Sequence, residues 1–124
     1  MAATTLTPIV LTMDTVSADL PDASGTVAAT PADGWTCDVT GYKANRILFK
    51  LLADASGDTV VFNAGDYPPA ARKGLGSLSI VLAANDVKFV CVEAARFMQS
   101  DGTITAYCAD AGTMAWCFIL PLAV

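Results

Sequence analysis

Histidine is absent from the chain. That removes the side chain that most often moves protons near neutral pH, and with it every Ser-His-Asp and Cys-His arrangement. Acid–base or nucleophilic chemistry would fall to carboxylates, lysines or thiols. Asp54, Asp58, Asp66, Asp86, Asp101 and Asp110 all sit among turn-forming residues, where a short carboxylate is expected to accept hydrogen bonds from nearby backbone N–H groups. Glu93 is the one glutamate and stands close to Arg96; an ion pair or a subunit contact is expected of it rather than general acid work. The turn at residues 54–58 (DASGD) lacks the further acidic positions and the terminal glutamate of an EF-hand loop. Gly74 and Gly76 do not open a helix after a strand, so no dinucleotide fingerprint is supported. The four cysteines, Cys37, Cys91, Cys108 and Cys117, form no C-x-x-C pair and lack zinc-knuckle spacing. Cys91 and Cys117 lie in apolar runs and read as buried small hydrophobes; a disulfide is the other reading, and the sequence does not pair the thiols. The expectation is no enzyme, no cofactor and no metal.

The elements that would carry these residues are short. Residues 7–16 (TPIVLTMDTV) can form one strand, with Pro8 at its start, where proline is tolerated. Residues 19–33 contain prolines and a glycine and read as loop or extended arm. The first 33 residues hold no aromatic side chain and are expected to lie against a neighbour. From Trp35 onward strand signals are dense. In residues 46–52 (RILFKLL) Ile47, Phe49 and Leu51 share one face. Residues 59–63 (TVVFN) are β-branched. Residues 64–76 form a long loop in which Pro68 and Pro69 exclude regular pairing. Residues 78–82 (LSIVL) and 87–92 (VKFVCV), joined by a turn at Asn85 and Asp86, read as a hairpin. Residues 93–98 suit a turn or one helical turn. Asp101 and Gly102 mark a second turn before residues 103–109. Residues 114–120 (MAWCFIL) are apolar on both faces, as in a central strand or one that a partner covers.

No window carries a helical apolar stripe longer than about two turns, so the periodicity favours an all-β fold. It is expected to be an antiparallel β-sandwich of seven or eight short strands, in one domain at residues 34–124, preceded by an extended arm at residues 1–33.

Composition bears on partners. The net charge is −5, and the basic residues Lys43, Arg46, Lys50, Arg72, Lys73, Lys88 and Arg96 are scattered, which argues against nucleic acid. The longest apolar run, residues 114–124, is broken by Pro121 and is short of the roughly 20 residues a spanning helix needs. Residues 1–16 have no basic n-region and carry Asp14, so no secretory signal is read there. Apolar residues make up 54% and charged residues 15%, against a usual charged share of about 25%. A small domain has much surface to cover with so few charges, and other polypeptides are expected to cover part of it.

Residues 46–124 resemble small phage and prophage head decoration (cement) proteins. The features that carry the resemblance run in order. RILFK at residues 46–50 precedes the β-branched strand at 59–62 and a glycine-containing loop. LSIVL at 78–82 and AAND at 83–86 follow, then ARF at 95–97 and DGTI at 101–104, leading into two final strands. Ala84, Asn85 and Asp86 stand where such proteins commonly carry Pro-Ala-Gly. The resemblance implies a jelly-roll-like sandwich on the capsid exterior, made in the host cytoplasm, often a homotrimer. It would bind the major capsid protein lattice and stabilise it. A tail, neck or fibre-associated virion module is the alternative, and a carbohydrate-binding sandwich using Trp35, Tyr42 and Tyr67 a second one. The expected protein contacts are Ile9, Leu11, Val16 and Leu20 in the arm, Tyr67, Pro68, Arg72 and Lys73 in the loop, and Trp35, because exposed aromatics and arginine anchor interfaces.

Overall fold

The structure is a computed structural model and describes residues 3–17, 19–21, 24–42, 46–65 and 76–121. The described residues form β1 (Thr4–Thr5), β2 (Ile9–Val10), β3 (Thr26–Val27), β4 (Trp35–Asp38), β5 (Arg46–Leu52), β6 (Asp58–Phe62), β7 (Leu78–Leu82), β8 (Val87–Glu93), a single helical turn α1 (Ala94–Phe97), β9 (Thr103–Tyr107) and β10 (Met114–Ile119). The protein is all-β, as its alternating pattern requires. The expected seven or eight antiparallel strands are corrected to ten among the described residues, in two mixed sheets that face each other as in a β-sandwich, the parallel pairs being those made by the short strands β1 and β2. The first runs β1-β4-β9-β6-β7 and the second β2-β10-β5-β8, with β3 also paired to β10.

The organising feature is a long ribbon folded in half. Residues 46–62 run antiparallel to residues 78–93. In the first half β5 pairs with β8 (Arg46 opposite Glu93, Leu52 opposite Val87). In the second half β6 pairs with β7 (Asp58 opposite Leu82, Phe62 opposite Leu78). The fold lies at residues 53–57 and 83–86, where the Ala53 N–H donates to the Asp86 carbonyl (2.9 Å) and the Asn85 N–H to the Asp54 carbonyl (2.8 Å). Gly57 and Asn85 take positive φ there (70° and 59°), and a Cβ on Gly57 would come within 2.7 Å of the Leu82 carbonyl, so only glycine fits the bend. A third strand pair makes the same turn: β9 lies beside β6 and β10 beside β5, linked through residues 108–113.

The expected hairpin of residues 78–82 with 87–92 is therefore corrected. β7 and β8 are joined by a tight turn but belong to opposite sheets. Pairing with each other would leave residues 46–62 bonded along one edge only, to β10 and β9, and buried backbone groups must be satisfied. The N-terminal segment meets these sheets at three short pairings. Thr4–Thr5 pairs in parallel with β4, Ile9–Val10 in parallel with β10, and Thr26–Val27 antiparallel to β10. Leu6 and Ala28 are buried in the core. The segment is extended, but it completes its own two sheets because their flanking strands need partners.

The core lies between the sheets. Ile47, Phe49 and Leu51 of β5 and Ala115, Cys117 and Ile119 of β10 face Trp35 and Cys37 of β4, Val60 and Phe62 of β6, and Ile104 of β9. β10 is central in its sheet, consistent with its doubly apolar sequence.

Candidate interaction face

The aspartates do structural work. Asp58 Oδ1 accepts from the backbone N–H groups of Thr59 (2.7 Å), Ala109 (2.9 Å) and Asp110 (3.2 Å), and the Thr113 hydroxyl donates to Oδ2 (2.6 Å). Asp54 Oδ1 accepts from the Ser56 N–H (2.9 Å), and Asp86 Oδ2 from the Ala83 N–H (2.8 Å). At Asp110 the Gly112 N–H pulls the carboxyl pKa down, but a hydrogen bond with Asp54, burial, and the charges of Asp54 and Asp58 push it up, and the net is upward. Asp66 lies outside the described residues. Arg96 lies over the Phe97 ring at 4.7 Å, and no ion pair between it and Glu93 is seen among the described residues. No three His, Cys, Asp or Glu side chains converge as a metal site among the described residues.

Two exposed turn carboxylates bear on acid stability. The Thr40 hydroxyl (2.6 Å) and N–H (3.0 Å) donate to Asp38, and Thr103 does the same for Asp101. These bonds, the hydroxyl first, hold both carboxyls below their ordinary value. A lowered folded-state pKa contributes stability above the unfolded value, and that stability is lost as pH falls through the folded value. The Asp38→Asn/Asp101→Asn double variant should therefore show a flatter decline of urea midpoint below about pH 4 than the parent. Parallel curves would remove this assignment.

The two outer faces differ in chemistry. The first sheet turns Thr36, Thr59, Ser79, Thr103 and Thr105 outward, along with Val61, Val81 and Tyr107. The second sheet presents cross-strand rows that are mostly apolar. Val87, Leu52, Met114 and Val27 form one row. Phe89, Lys50 and Trp116 form the next, with Lys50 Nζ 4.5 Å from the Trp116 ring centre. Cys91, Leu48, Phe118 and Ile9 form the third.

The chain's own N-terminal segment covers one half of this face. Trp116 and Phe118 are buried there, outside the main core. The Trp116 indole N–H donates to the Ser24 hydroxyl (3.0 Å). A Cβ on Gly25 would come within 2.7 Å of the Trp116 ring, so this close approach needs glycine. The other half is open. Phe89 is 61% exposed and Val87 48%, Cys91 is exposed, and Leu48 and Leu52 are half-buried. These residues lie on β8, which ends its sheet, and on its neighbour β5.

The sequence-predicted contacts separate into three groups. Ile9 and Leu11 are half-buried at the rim of this face, Ile9 opposite Phe118 and the Leu11 N–H donating to the Ile119 carbonyl (2.9 Å). Val16 is 94% exposed and Leu20 half-buried. Trp35 is corrected from surface anchor to core: it is 2% exposed, and its indole N–H donates to the Thr26 carbonyl (2.9 Å). That also removes it from any carbohydrate platform, and Tyr42 packs against the core. Tyr67, Pro68, Arg72 and Lys73 lie outside the described residues. Cys91, expected to be buried, is exposed. Sequence reasoning missed Phe89 and Val87. Their signal was available, because residues 87–92 carry apolar side chains at both parities and a strand with two apolar faces needs two covers.

No helix among the described residues is long and apolar enough to cross a membrane. No family model, curated protein or solved structure matches the chain.

Proposed function

We propose that this protein is a virion structural protein, a capsid decoration protein that binds the major capsid lattice through the open half of the second sheet's outer face. The observation that carries the reading is the contrast between faces: one sheet sets Val81 and Tyr107 among hydroxyl side chains outside, while the other exposes Phe89 and Val87 together, beside Leu48, Leu52 and Cys91. A contiguous apolar patch on a small protein marks an interaction surface. Its composition suits one, with the aromatic Phe89 midway along the end strand and the charged side chain of Lys50 opposite it. Met13 and Val16, exposed in the N-terminal segment, extend the apolar contact surface and supply the clasping part of the proposed arm. The folded ribbon is read as a jelly-roll-like wrap, and the working assembly as a homotrimer on the capsid exterior.

The test is co-sedimentation with shells of the major capsid protein from the same virus, using the parent and Phe89→Asp. Truncated central aromatics typically cost about 2 kcal/mol or more of binding, so Phe89→Asp should weaken shell binding roughly 30-fold. Its melting temperature should stay close to the parent's, because Phe89 is not part of the core. Shells that retain Phe89→Asp as well as the parent, or that bind neither, would overturn the reading.

A further inference from the structure

Cys37 and Cys117 lie on facing strands of opposite sheets, β4 and β10, which share no backbone ladder. Their sulfur atoms are 2.9 Å apart, and both side chains are buried, at 1% and 0% exposure. The other two thiols are placed differently. Cys91 is exposed on the outer face of the second sheet. Cys108 sits at the folded corner, its Sγ directed at the Asp110 carbonyl (3.5 Å), and burial, helped by the charge of Asp58, pushes its pKa up to about 12.

We propose that Cys37 and Cys117 are the site of an inter-sheet disulfide. A disulfide needs sulfurs about 2.05 Å apart, so closure moves the pair by less than about 1 Å from where packing already holds it. The pair spans 80 positions of sequence, so the bond would close a long loop and restrict the unfolded chain strongly. The oxidant is a small-molecule disulfide. One protein thiol, as its thiolate, attacks a sulfur of that disulfide and expels one small thiolate. The second protein sulfur then attacks the resulting mixed disulfide and expels the other. Two protein thiols become one disulfide, and the small disulfide leaves as two thiols that take up the two protons.

The same geometry determines when this happens. The hydrogen bond to Cys37, followed by burial, pushes the Cys117 thiol's pKa up. In the folded molecule Cys117 is therefore disfavoured as a thiolate, and burial shields both sulfurs from the oxidant. Closure belongs to folding, when both sulfurs are still accessible, and once made the bond is shielded from reductants as well. This inference is independent of the proposed capsid role.

The experiment refolds the denatured, reduced protein in mixed oxidised and reduced glutathione, and in reductant alone. Denaturation, alkylation, intact-mass measurement and peptide mapping follow. The glutathione sample should have lost two hydrogens, contain one peptide pair linked through Cys37 and Cys117, and carry alkyl groups on Cys91 and Cys108. It should melt about 10 °C above the reduced sample, the rise expected for a long-loop cross-link in a domain of this size. Cys91→Ser/Cys108→Ser should keep that difference, and Cys37→Ala or Cys117→Ala should abolish it. Four alkylated thiols after refolding in glutathione, or a link through Cys91 or Cys108, would overturn the proposal.

Discussion

Phe62→Ala is expected to lower unfolding stability by about 4 kcal/mol, the usual cost of emptying a fully buried phenylalanine site. Phe62 is 1% exposed and lies where three elements meet. Its ring centre is 4.7 Å from that of Phe49 on the opposite sheet, tilted by 50°, and 6.2 Å from that of Phe97 in α1, edge-on at 62°. Such aromatic pairs add about 0.5–1.5 kcal/mol each beyond burial. A domain's whole stability is only about 5–15 kcal/mol, so the variant should lose a large share of it. Urea unfolding followed by tryptophan fluorescence reads this directly: the midpoint should drop with little change in slope. Phe62→Leu, which refills most of the volume, should cost about 1.5 kcal/mol. If both variants unfold within about 0.5 kcal/mol of the parent, the range of an uninvolved surface site, Phe62 does not hold the sheets together.

The parts of this fold that were legible in the sequence are those set by local alternation. Ile47, Phe49 and Leu51 follow the two-residue period of a half-buried strand, and all three are in the core. Gly57 and Asn85 take the left-handed backbone that their turns require. The single helical turn at Ala94–Phe97 falls within residues 93–98, where a turn or one helical turn was expected. What was not legible is set by partner choice. A short turn between two strands favours a hairpin, yet β7 and β8 each pair with a different half of residues 46–62, because a long run with two apolar stretches offers more ladder than the hairpin does. The strands of residues 4–5, 9–10 and 26–27 are two residues each, too short for any periodicity. Their place is fixed by the unpaired flanks of β4 and β10, which only the assembled sheets possess.

The candidate face shows the same division. Trp35 could be an anchor or pack in the core, because a tryptophan near the start of a strand can point either way. The register opposite Ala106 and the bond to Thr26 place it inside. Trp116 and Phe118 belong to a run apolar on both faces, which called for a second cover. The sequence did not say that the chain's own residues around Ser24 and Gly25 supply it for β10 while β8 is left open. The open half is what remains after the N-terminal segment has covered all that it reaches. This makes residues 87–91 a more specific interaction hypothesis than composition alone allowed.

The folded corner supports the second large effect. Asp58→Ala is expected to cost about 3 kcal/mol, because it strips a carboxylate from four donors at once and leaves the buried Thr113 hydroxyl without its acceptor. Three backbone N–H groups and the Thr113 hydroxyl converge on Asp58, and Thr113 is fully buried. Hydrogen bonds to a charged group contribute about 1.5–3 kcal/mol each in isolation, but they act here as one unit, so their sum overstates the loss. The carboxylate joins the start of β6 to the link between β9 and β10, where both strand pairs pass from one sheet to the other. Losing it should loosen that passage, and amide exchange should rise first at Ala109 and Asp110. Asp58→Asn keeps one acceptor oxygen and should cost about half as much, with Thr113→Val at about 1–2 kcal/mol. Asp58→Ala combined with Thr113→Val should cost less than the sum of the two, since each removes the same bond. Strict additivity, or unchanged exchange at Ala109 and Asp110, would show that the corner is held by its backbone turns and not by this carboxylate.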